Sequence, residues 1–257
     1  MNHALLKSLA GHCRHHSFHK RTIMFLYGIN PAFEAIRAGR RAIHRAYINQ
    51  EADNNPRLKK LVQFLHSKQI PVEFTHKGKL FDLCQTREHQ GIVLDTEAFP
   101  HTPFADMIGS PRMVLLDSIE DPHNEGAIMR SAEIFGWDNV LLPRRGTPLL
   151  LPSVIKASAG ACEHLQIAVN CSANQYCKIA KDEGYTIVAL DGGGKASLED
   201  LRAQHLEKLL LVVGGENAGV SQFILNMADH VAAIPQKGKI NSLNASVAAG
   251  LALYLLA

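Results

Sequence analysis

Six short apolar runs, separated by helix-like stretches, follow one another after residue 112 and constrain the fold more than any other feature. They read MVLLDS, NVLLP, LQIAVN, YTIVALD, LLLVVGG and HVAAIP. A strand that is apolar along its whole length is buried on both faces, which is typical of a parallel sheet covered by helices. The pattern therefore predicts an α/β fold in which ligands bind at the carboxyl ends of the strands.

A smaller unit with its own alternation of helices and strands precedes this domain. The stretch PAFEAIRAG begins with Pro31 in a first helical turn and closes at Gly39. The stretch PRLKKLVQFLHSKQ places apolar residues on one helix face, and HRAYIN, IPVEFT and QGIVLD read as strands. We therefore expect an α/β domain over 24–96, a proline-containing linker over 97–111 and the larger domain over 112–257.

Composition limits the class of protein without identifying it. The 257 residues carry a net charge of +3 with 14 histidines, which is compatible with nucleic-acid binding but does not argue for it. No apolar run is long enough to span a bilayer. The five cysteines are scattered and odd in number, which favours free thiols in a reducing, cytoplasmic compartment.

Residues 1–23 form an unusual leader, because no acidic residue occurs in them and five histidines fall within the first 20. The segment is interpreted as a disordered tail, a transit-like leader, or a stretch that precedes a functional start near Met24. No metal is expected, because nothing in the spacing fixes the geometry of the histidines.

Polar residues gather where the apolar runs end. After MVLLDS, Asn124 is a candidate N-cap, and Gly126 and Arg130 share a helix face over the strand end, where an arginine could bind phosphate. A capped helix with a solvated arginine explains these residues equally well. After HVAAIP, Ser242 can cap a final helix that is apolar nearly all round, and its polar first turn needs a ligand or core groups as partners.

Two glycine-rich loops also follow apolar runs. The stretch GGGKAS lacks the spacing of a P-loop, and its three glycines allow either close backbone approach to a ligand or a flexible turn, which is slightly favoured. In LLLVVGGENAGVS, Gly214 and Gly219 fit the outer glycines of a dinucleotide fingerprint, but Glu216 holds the central position. A carboxylate there would repel a pyrophosphate, which argues against a nicotinamide-dependent dehydrogenase. Glu216 could instead bind a ribose hydroxyl, pair with an arginine, or cap the helix that begins near Ser221.

Together these stretches resemble the SpoU family of RNA ribose 2′-O-methyltransferases, within the SPOUT superfamily. Three motifs in order carry the resemblance, namely DPHNEGAIMRSAEIFG, VVGGENAGVS and IPQKGKINSLNASVAAGLALY, and KASAGACEHL resembles the segment that links them. The stretches YGINPAFEAIRAG and HQGIVL resemble the ribosomal-protein-like substrate-binding domain of the branch that methylates 23S ribosomal RNA. Glu125 departs from the family pattern, in which an apolar residue is commoner.

The resemblance implies a trefoil-knotted C-terminal domain that binds S-adenosylmethionine (S-adenosyl-L-methionine) in the knot, an exception to the usual unthreaded connections. It also implies a homodimer whose active site is completed across the interface. Matching positions imply that the cofactor is bound by Leu190, Gly214, Gly215, Ile234, Ser242 and Leu243. They assign the active site to Asn124, Arg130, Glu216 and Asn244.

Within that active site, we expect Arg130 to grip the target phosphate and polarise the ribose hydroxyl, while Glu216 holds Arg130 through a bidentate ion pair. The two asparagines would orient the ribose and the loop. The guanidinium cannot act as a literal base, because it stays protonated in proteins.

The RNA is expected to contact Arg144 and Arg145, which follow the second strand of the larger domain. The lysines of the N-terminal helix more simply form a solvated face, comprising Lys59, Lys60 and Lys68. The expected target is a guanosine in looped or single-stranded 23S ribosomal RNA, because its 2′-oxygen must be exposed. A transfer-RNA methyltransferase and a catalytically inactive RNA-binding protein are the alternatives.

Overall fold

The computed structural model describes residues 23–51, 55–144, 150–216, 219–240 and 242–257. The chain divides into two compact units. Among the described residues, the N-terminal unit comprises residues 23–100 together with Leu150–His164, and the C-terminal unit comprises those between 101 and 144 and between 165 and 257. The leader predicted over residues 1–23 lies outside the described residues except for Ile23.

The N-terminal unit is built on a mixed four-stranded sheet. Its strands are β1 (Ile23–Tyr27), β2 (Ile43–Asn49), β3 (Val72–Thr75) and β4 (Ile92–Glu97), and its helices include α1 (Ile29–Ala38), α2 (Pro56–Ser67) and α3 (Lys77–Cys84). The sheet order is β1-β4-β2-β3. Strand β4 is antiparallel to β1 and β2, whereas β2 and β3 are parallel.

The helices of this unit follow the local signals in the sequence. Helix α1 ends at Gly39, which is left-handed (φ 61°) as predicted, but it begins two residues before Pro31. Helix α2 is capped by Asn55, whose side chain accepts hydrogen bonds from the backbone nitrogens of Arg57 and Leu58. Helix α3 was not predicted, because it buries a single residue, Leu80, and so has no apolar periodicity.

The C-terminal unit is built on a seven-stranded sheet. Its strands are β5 (Arg112–Asp117), β6 (Asn139–Leu141), β7 (Gln166–Ala168), β8 (Thr186–Leu190), β9 (Ala196–Ser197), β10 (Leu209–Gly214) and β11 (His230–Ala233). Their order is β7-β6-β5-β10-β8-β11-β9, and every neighbouring pair is parallel. The predicted α/β architecture with a parallel sheet is confirmed. The trefoil knot stays a prediction.

Helices cover this sheet, and they are α4 (Phe104–Met107), α5 (Pro122–Ile134), α7 (Ala173–Asp182), α8 (Leu198–Ala203), α9 (Gln222–Met227) and α10 (Ala245–Leu255). Helix α4 lies inside the segment interpreted as a linker. Its Phe104 and Met107 are buried in the core of the unit, and the Phe104 ring meets that of Tyr176 edge-on at 4.9 Å. The segment therefore contributes apolar side chains to the core as well as connecting two units.

The stretch GGGKAS is more than a flexible turn, because its last two residues form β9 beside β11. A Cβ on Gly194 would lie 2.6 Å from the backbone of Val231 and Ala232. Only glycine allows the chain to pass so close to the neighbouring strand.

The segment Leu150–His164 follows β6 in sequence but packs within the N-terminal unit. It contains α6 (Pro152–Ala157) and a 3₁₀ helix (Ala161–His164), which pack against β1 and α1. The side chains of Arg41 and Glu163 form an ion pair there that is almost fully buried. A buried ion pair tolerates little displacement, so this contact fixes the segment to the unit.

The cysteine prediction holds in part. Cys84, Cys162 and Cys177 are reduced cysteines outside any disulfide, as predicted. Cys171 is disulfide-bonded, and the prediction is wrong there because an odd cysteine count excludes complete pairing but does not exclude a disulfide. Among the described helices, none is long and apolar enough to cross a membrane.

Candidate active site

Three polar side chains meet in a closed hydrogen-bond network at the carboxyl edge of the seven-stranded sheet. The Asn124 amide nitrogen donates to Glu216 Oε1 at 2.8 Å. The Asn244 amide nitrogen donates to the same oxygen at 2.8 Å and to Asn124 Oδ1 at 3.0 Å. Asn124, Glu216 and Asn244 are thus brought together from three separate sequence motifs, as expected of an active site.

The backbone fixes the orientation of each group in this network. Asn244 Oδ1 accepts from the backbone nitrogens of Ser246 and Val247 at 2.9 and 3.3 Å, so its amide nitrogen must face the network. A carboxylate only accepts hydrogen bonds, so Asn124 must turn its nitrogen to Glu216 and its oxygen to Asn244. Glu216 Oε2 and one N–H of Asn124 make no hydrogen bond with described residues and can bind a ligand.

Two parallel helices carry the asparagines. The amino ends of α5 and α10 lie together at Asn124 and Asn244, and their carboxyl ends lie together where the Trp137 indole donates to the Leu253 carbonyl at 3.0 Å. Gly250 faces Ser131 between these points. The network therefore depends on how two helices pack.

Both capping predictions at these helices are wrong. Asp121 caps α5 by accepting from the His123 nitrogen at 2.9 Å, which places Asn124 in the first turn with its side chain buried. Asn244 caps α10 in place of Ser242. In each case two residues that can cap a helix lie within three positions of each other, Asp121 with Asn124 and Ser242 with Asn244. The sequence does not choose between them, and the packing of the helix does.

The loop that carries Glu216 requires glycine for protein packing. A Cβ on Gly215 would lie 2.0 Å from the Ser118 carbonyl oxygen, and one on Gly214 would lie 2.1 Å from the Gly219 carbonyl carbon. The Gly215 nitrogen donates to the Asp117 carbonyl at 3.0 Å, and the Gly219 nitrogen donates to the Gly215 carbonyl at 2.9 Å. The glycines hold the loop against β5, so Glu216 projects from a tight turn.

The sequence reasoning missed Asp117, a buried residue at the end of β5. Its Oδ2 accepts from the Ser221 backbone nitrogen at 3.1 Å, across the loop that carries Glu216. An acidic residue that ends a wholly apolar run was the available signal. Asp117 therefore ties the far end of this loop to β5, which helps to hold Glu216 in position.

The residues assigned to the cofactor lie at adjacent strand ends. Leu190 ends β8 and pairs in register with Val213 of β10 and Ala232 of β11. Gly214 ends β10, and Ile234 directly follows β11. Leu190, Gly214 and Ile234 are all half-buried.

The remaining cofactor residues come from two loops that also carry network residues. Gly215 directly precedes Glu216, while Ser242 and Leu243 directly precede Asn244. The Leu243 side chain is 41% exposed. Partly uncovered apolar side chains beside backbone turns suit a flat heteroaromatic group with a polar tail, so these residues fit S-adenosylmethionine.

Arg130 does not join the network. Its side chain is exposed and makes no hydrogen bond or ion pair with any described residue. The expected ion pair with Glu216 is not formed, because Arg130 is six residues from Asn124 on α5 and projects from a different face of the helix. Arg130 instead lies one turn before Ile134, whose side chain is 60% exposed.

The candidate RNA contacts are only partly described. Arg144 is exposed beyond the end of β6, where it can reach a phosphate backbone. Arg145 lies outside the described residues, as does Asn241 among the polar residues before α10. Lys59 and Lys60 on α2 and Lys68 directly after it are exposed, as a solvated face requires. No cluster of three or more metal-ligating side chains occurs in the described part of the chain.

Glu125 is the unusual group beneath the site. Its side chain is fully buried in the first turns of α5, and neither carboxyl oxygen has a hydrogen-bond partner among the described residues. Desolvation raises the pKa of Glu125 to about 8. The carboxyl group is therefore mostly protonated at neutral pH, which is how a helix core can accommodate it.

Comparisons with known proteins agree with this geometry. The SpoU rRNA methylase family matches residues 111–254, and the RNA 2′-O ribose methyltransferase substrate-binding family matches residues 25–102. A tRNA/rRNA methyltransferase of Synechocystis is 32% identical over 89% of this chain, which spans 61% of that relative's length. Another from Mycolicibacterium gilvum is 32% identical, covering 93% of this chain and 78% of the relative.

Solved structures share this fold. The AdoMet-bound rRNA methyltransferase of Sinorhizobium meliloti superposes with a TM-score of 0.76 at 19% identity, covering 99% of this chain and 94% of that one. The SpoU methyltransferase AviRb of Streptomyces viridochromogenes, in complex with AdoMet, gives 0.75 at 20% identity over 100% and 97% of the two chains. With the three motifs assembled at one sheet edge, these matches identify the chain as a member of the SpoU rRNA methylase family, an RNA 2′-O-ribose methyltransferase.

Proposed function

We propose that this protein transfers a methyl group from S-adenosylmethionine to the ribose 2′-hydroxyl of a guanosine in 23S ribosomal RNA. The observation that carries the proposal is the network of Asn124, Glu216 and Asn244, two of whose members directly follow residues assigned to the cofactor. A reacting ribose held by this network would lie at the edge of the cofactor site. A ribosomal RNA substrate would be met in the cytoplasm.

The network is suited to orientation more than to proton abstraction. The bound cofactor supplies an electrophilic methyl group, and the 2′-oxygen must approach it in line. Glu216 Oε2 can accept from a ribose hydroxyl, and the remaining N–H of Asn124 can donate to a ribose oxygen. Because both groups are already held by hydrogen bonds, little entropy is lost when they bind the substrate.

Arg130 would act in the site of a second copy of the chain. An exposed apolar face runs along α10 through Val247, Leu251 and Tyr254, and α5 extends it with Ile134. Large exposed apolar surfaces mark association sites, and a C₂ dimer through this face would cover it. Arg130 lies one turn from Ile134 on α5, so the same dimer would bring its guanidinium to the partner, where it could hold the target phosphate and polarise the hydroxyl.

Subunit mixing tests the placement of Arg130 directly. Arg130→Ala and Glu216→Gln each lack one part of the site, and each homodimer should be inactive. If Arg130 serves the partner, a refolded equimolar mixture contains heterodimers with one complete site, which restores about one quarter of wild-type activity for random pairing. If Arg130 serves its own chain, every mixed site stays incomplete and no activity returns.

The choice of ribosomal RNA rests on the substrate-binding domain, whose family model matches residues 25–102. The relatives are named tRNA/rRNA methyltransferases, so their names do not choose between the two RNAs. Mapping of 2′-O-methyl groups in total RNA from cells with and without the protein tests the proposal. Loss of a methyl group from a transfer RNA, with 23S ribosomal RNA unchanged, would replace it with the transfer-RNA alternative.

A catalytically inactive RNA-binding protein is the alternative from another class. Calorimetric titration with S-adenosylmethionine separates it from an enzyme, because a protein that has lost the cofactor site gives no binding heat. Binding of the cofactor together with methyl transfer to RNA would exclude it.

A further inference from the structure

A second concave site lies in the N-terminal unit and has no part in the network described above. It is an open depression of about 830 Å³ between the carboxyl end of β2, helix α3 and the loop before β4. Its lining includes Asn49, Asn55, Phe81, His89 and Gln90. Asn49 and His89 are more than nine-tenths buried, although both are polar. Polar groups at such depth need partners.

The backbone occupies the acceptor atom of each amide and imidazole in this lining. Asn49 Oδ1 accepts from the Glu51 nitrogen at 3.4 Å, and Asn55 Oδ1 accepts from the Arg57 nitrogen at 3.0 Å. Gln90 Oε1 accepts from the Ile29 nitrogen at 3.0 Å. The three side-chain NH₂ groups therefore have a fixed orientation.

The imidazole follows the same rule. His89 Nδ1 accepts from the Gly91 nitrogen at 3.0 Å, so its proton is on Nε2. Burial, helped by the charge of Lys77, lowers the pKa of His89 and keeps the ring neutral. The depression thus presents four N–H donor groups, none of which has an acceptor among the described residues.

The rim adds an aromatic ring and charges of both signs, since Glu51 and Asp82 line it together with Lys77 and Arg87. Phe81 is 40% exposed at the edge of the depression, so its ring face is available to a ligand. Arg87 is exposed and makes no ion pair with a described residue, while Lys77 lies 3.4 Å from Glu51. A ligand for this site needs several hydrogen-bond acceptors and a flat face, and Arg87 offers a charge that can bind a phosphate.

We propose that this depression binds one unpaired nucleotide of the RNA substrate that carries a keto base, guanine or uracil. The base would stack on Phe81, its carbonyl oxygens would accept from the fixed donors, and its phosphate would lie beside Arg87. Guanine offers O6 and N7 as neighbouring acceptors, whereas adenine replaces one of them with an amino donor that would face other donors. The inference rests on the proposed function in taking RNA as the ligand.

The test is the affinity of full-length protein for fluorescent oligouridylate and oligoadenylate of equal length, at one salt concentration. Wild type should prefer oligouridylate. Phe81→Leu should weaken its binding at least about fivefold, since it removes a stacking platform. Gln90→Glu keeps the acceptor for the Ile29 nitrogen and replaces the free donor with a carboxylate, so a loss of about tenfold is expected.

Matched controls separate the site from general effects. Phe74→Leu removes a ring from β3 that is more exposed than Phe81, and Gln63→Glu adds the same charge to an exposed position of α2. Neither change should alter the affinity for oligouridylate. Hydrogen exchange should also slow in a peptide that covers residues 87–92 when oligouridylate is bound.

The proposal would be overturned if Phe81→Leu and Gln90→Glu changed the affinity for oligouridylate no more than their controls do. It would also be overturned if wild type bound the two oligonucleotides with equal affinity, or bound neither. Calorimetry with S-adenosylmethionine, run on the same samples, distinguishes this failure from failure of the proposed function. Cofactor binding depends on the C-terminal unit, so it should be the same in wild type and in all four variants.

Discussion

The buried carboxyl of Glu125 makes the stability of this protein depend on pH in a direction opposite to that of most acidic residues. Its folded-state pKa is raised to about 8 by desolvation, from an ordinary value of 4.5. The folded chain therefore holds this proton more tightly than the unfolded chain does. The contribution of Glu125 to stability is most favourable below pH 4.5 and is lost as the pH rises towards 8.

The magnitude follows from the size of the shift. Each unit of pKa corresponds to about 1.4 kcal/mol, so ionising Glu125 in place costs on the order of 5 kcal/mol above pH 8. The cost at pH 7 is roughly 3 kcal/mol, a large fraction of the 5–15 kcal/mol that is typical of whole domains. Glu125→Gln has similar shape and no proton to lose, so it removes this dependence.

Urea unfolding of wild type and Glu125→Gln at several values between pH 5 and pH 9 measures the effect. Protein concentration is held constant, because dimerisation adds to apparent stability. The free-energy difference should grow in favour of the variant by up to about 1.4 kcal/mol per pH unit and level off above pH 8. Glu133→Gln, which changes a half-buried glutamate on the same helix, is the control and should give a difference that hardly varies. A constant difference for Glu125→Gln would refute the reasoning.

Three further predictions concern the network, its loop and the buried ion pair. Asn244→Asp keeps the helix cap but sets a carboxylate against Glu216, so methyl transfer should fall about 100-fold while the melting temperature changes little. Asn244→Ala removes the cap as well as the network contact, so both the methyl-transfer rate and the melting temperature should fall. Gly215→Ala forces a Cβ within 2.0 Å of a carbonyl oxygen, so activity should be lost and thermal unfolding should occur at lower temperature. Glu163→Ala leaves Arg41 buried without its partner and should cost about 3–5 kcal/mol in urea unfolding, whereas changing both to apolar residues should restore much of it.

Much of the fold follows from local pattern alone. The apolar runs after residue 112 predicted strands that the structure places in a wholly parallel sheet, because only a sheet covered on both faces needs such runs. Helix α2 followed from the spacing of Leu58, Leu61 and Leu65, all of which are buried. The α3 helix and the buried Phe104 were missed because neither belongs to a periodic apolar stretch.

Of the four residues that the sequence assigned to the active site, three meet in the structure, but their partners differ from those expected. Glu216 was expected to hold Arg130, yet it accepts hydrogen bonds from Asn124 and Asn244. Local spacing cannot distinguish these outcomes, since all four residues lie in segments that follow strands of the same sheet. The face of α5 from which each side chain projects decides it, and that depends on packing against α10.

The sequence by itself determined the α/β class, the parallel sheet and the set of polar residues at its carboxyl edge, because periodicity and composition are local properties. Only the tertiary structure decided that two helix starts meet at one glutamate, that Leu150–His164 packs within the N-terminal unit, and that four donors line the depression beside Phe81. Such features depend on contacts between residues far apart in the chain, and their geometry is set by close packing rather than by residue type. Glu125 depends on both. The sequence shows a glutamate where the family more often has an apolar residue, and the complete burial of that side chain in the structure is what raises its pKa.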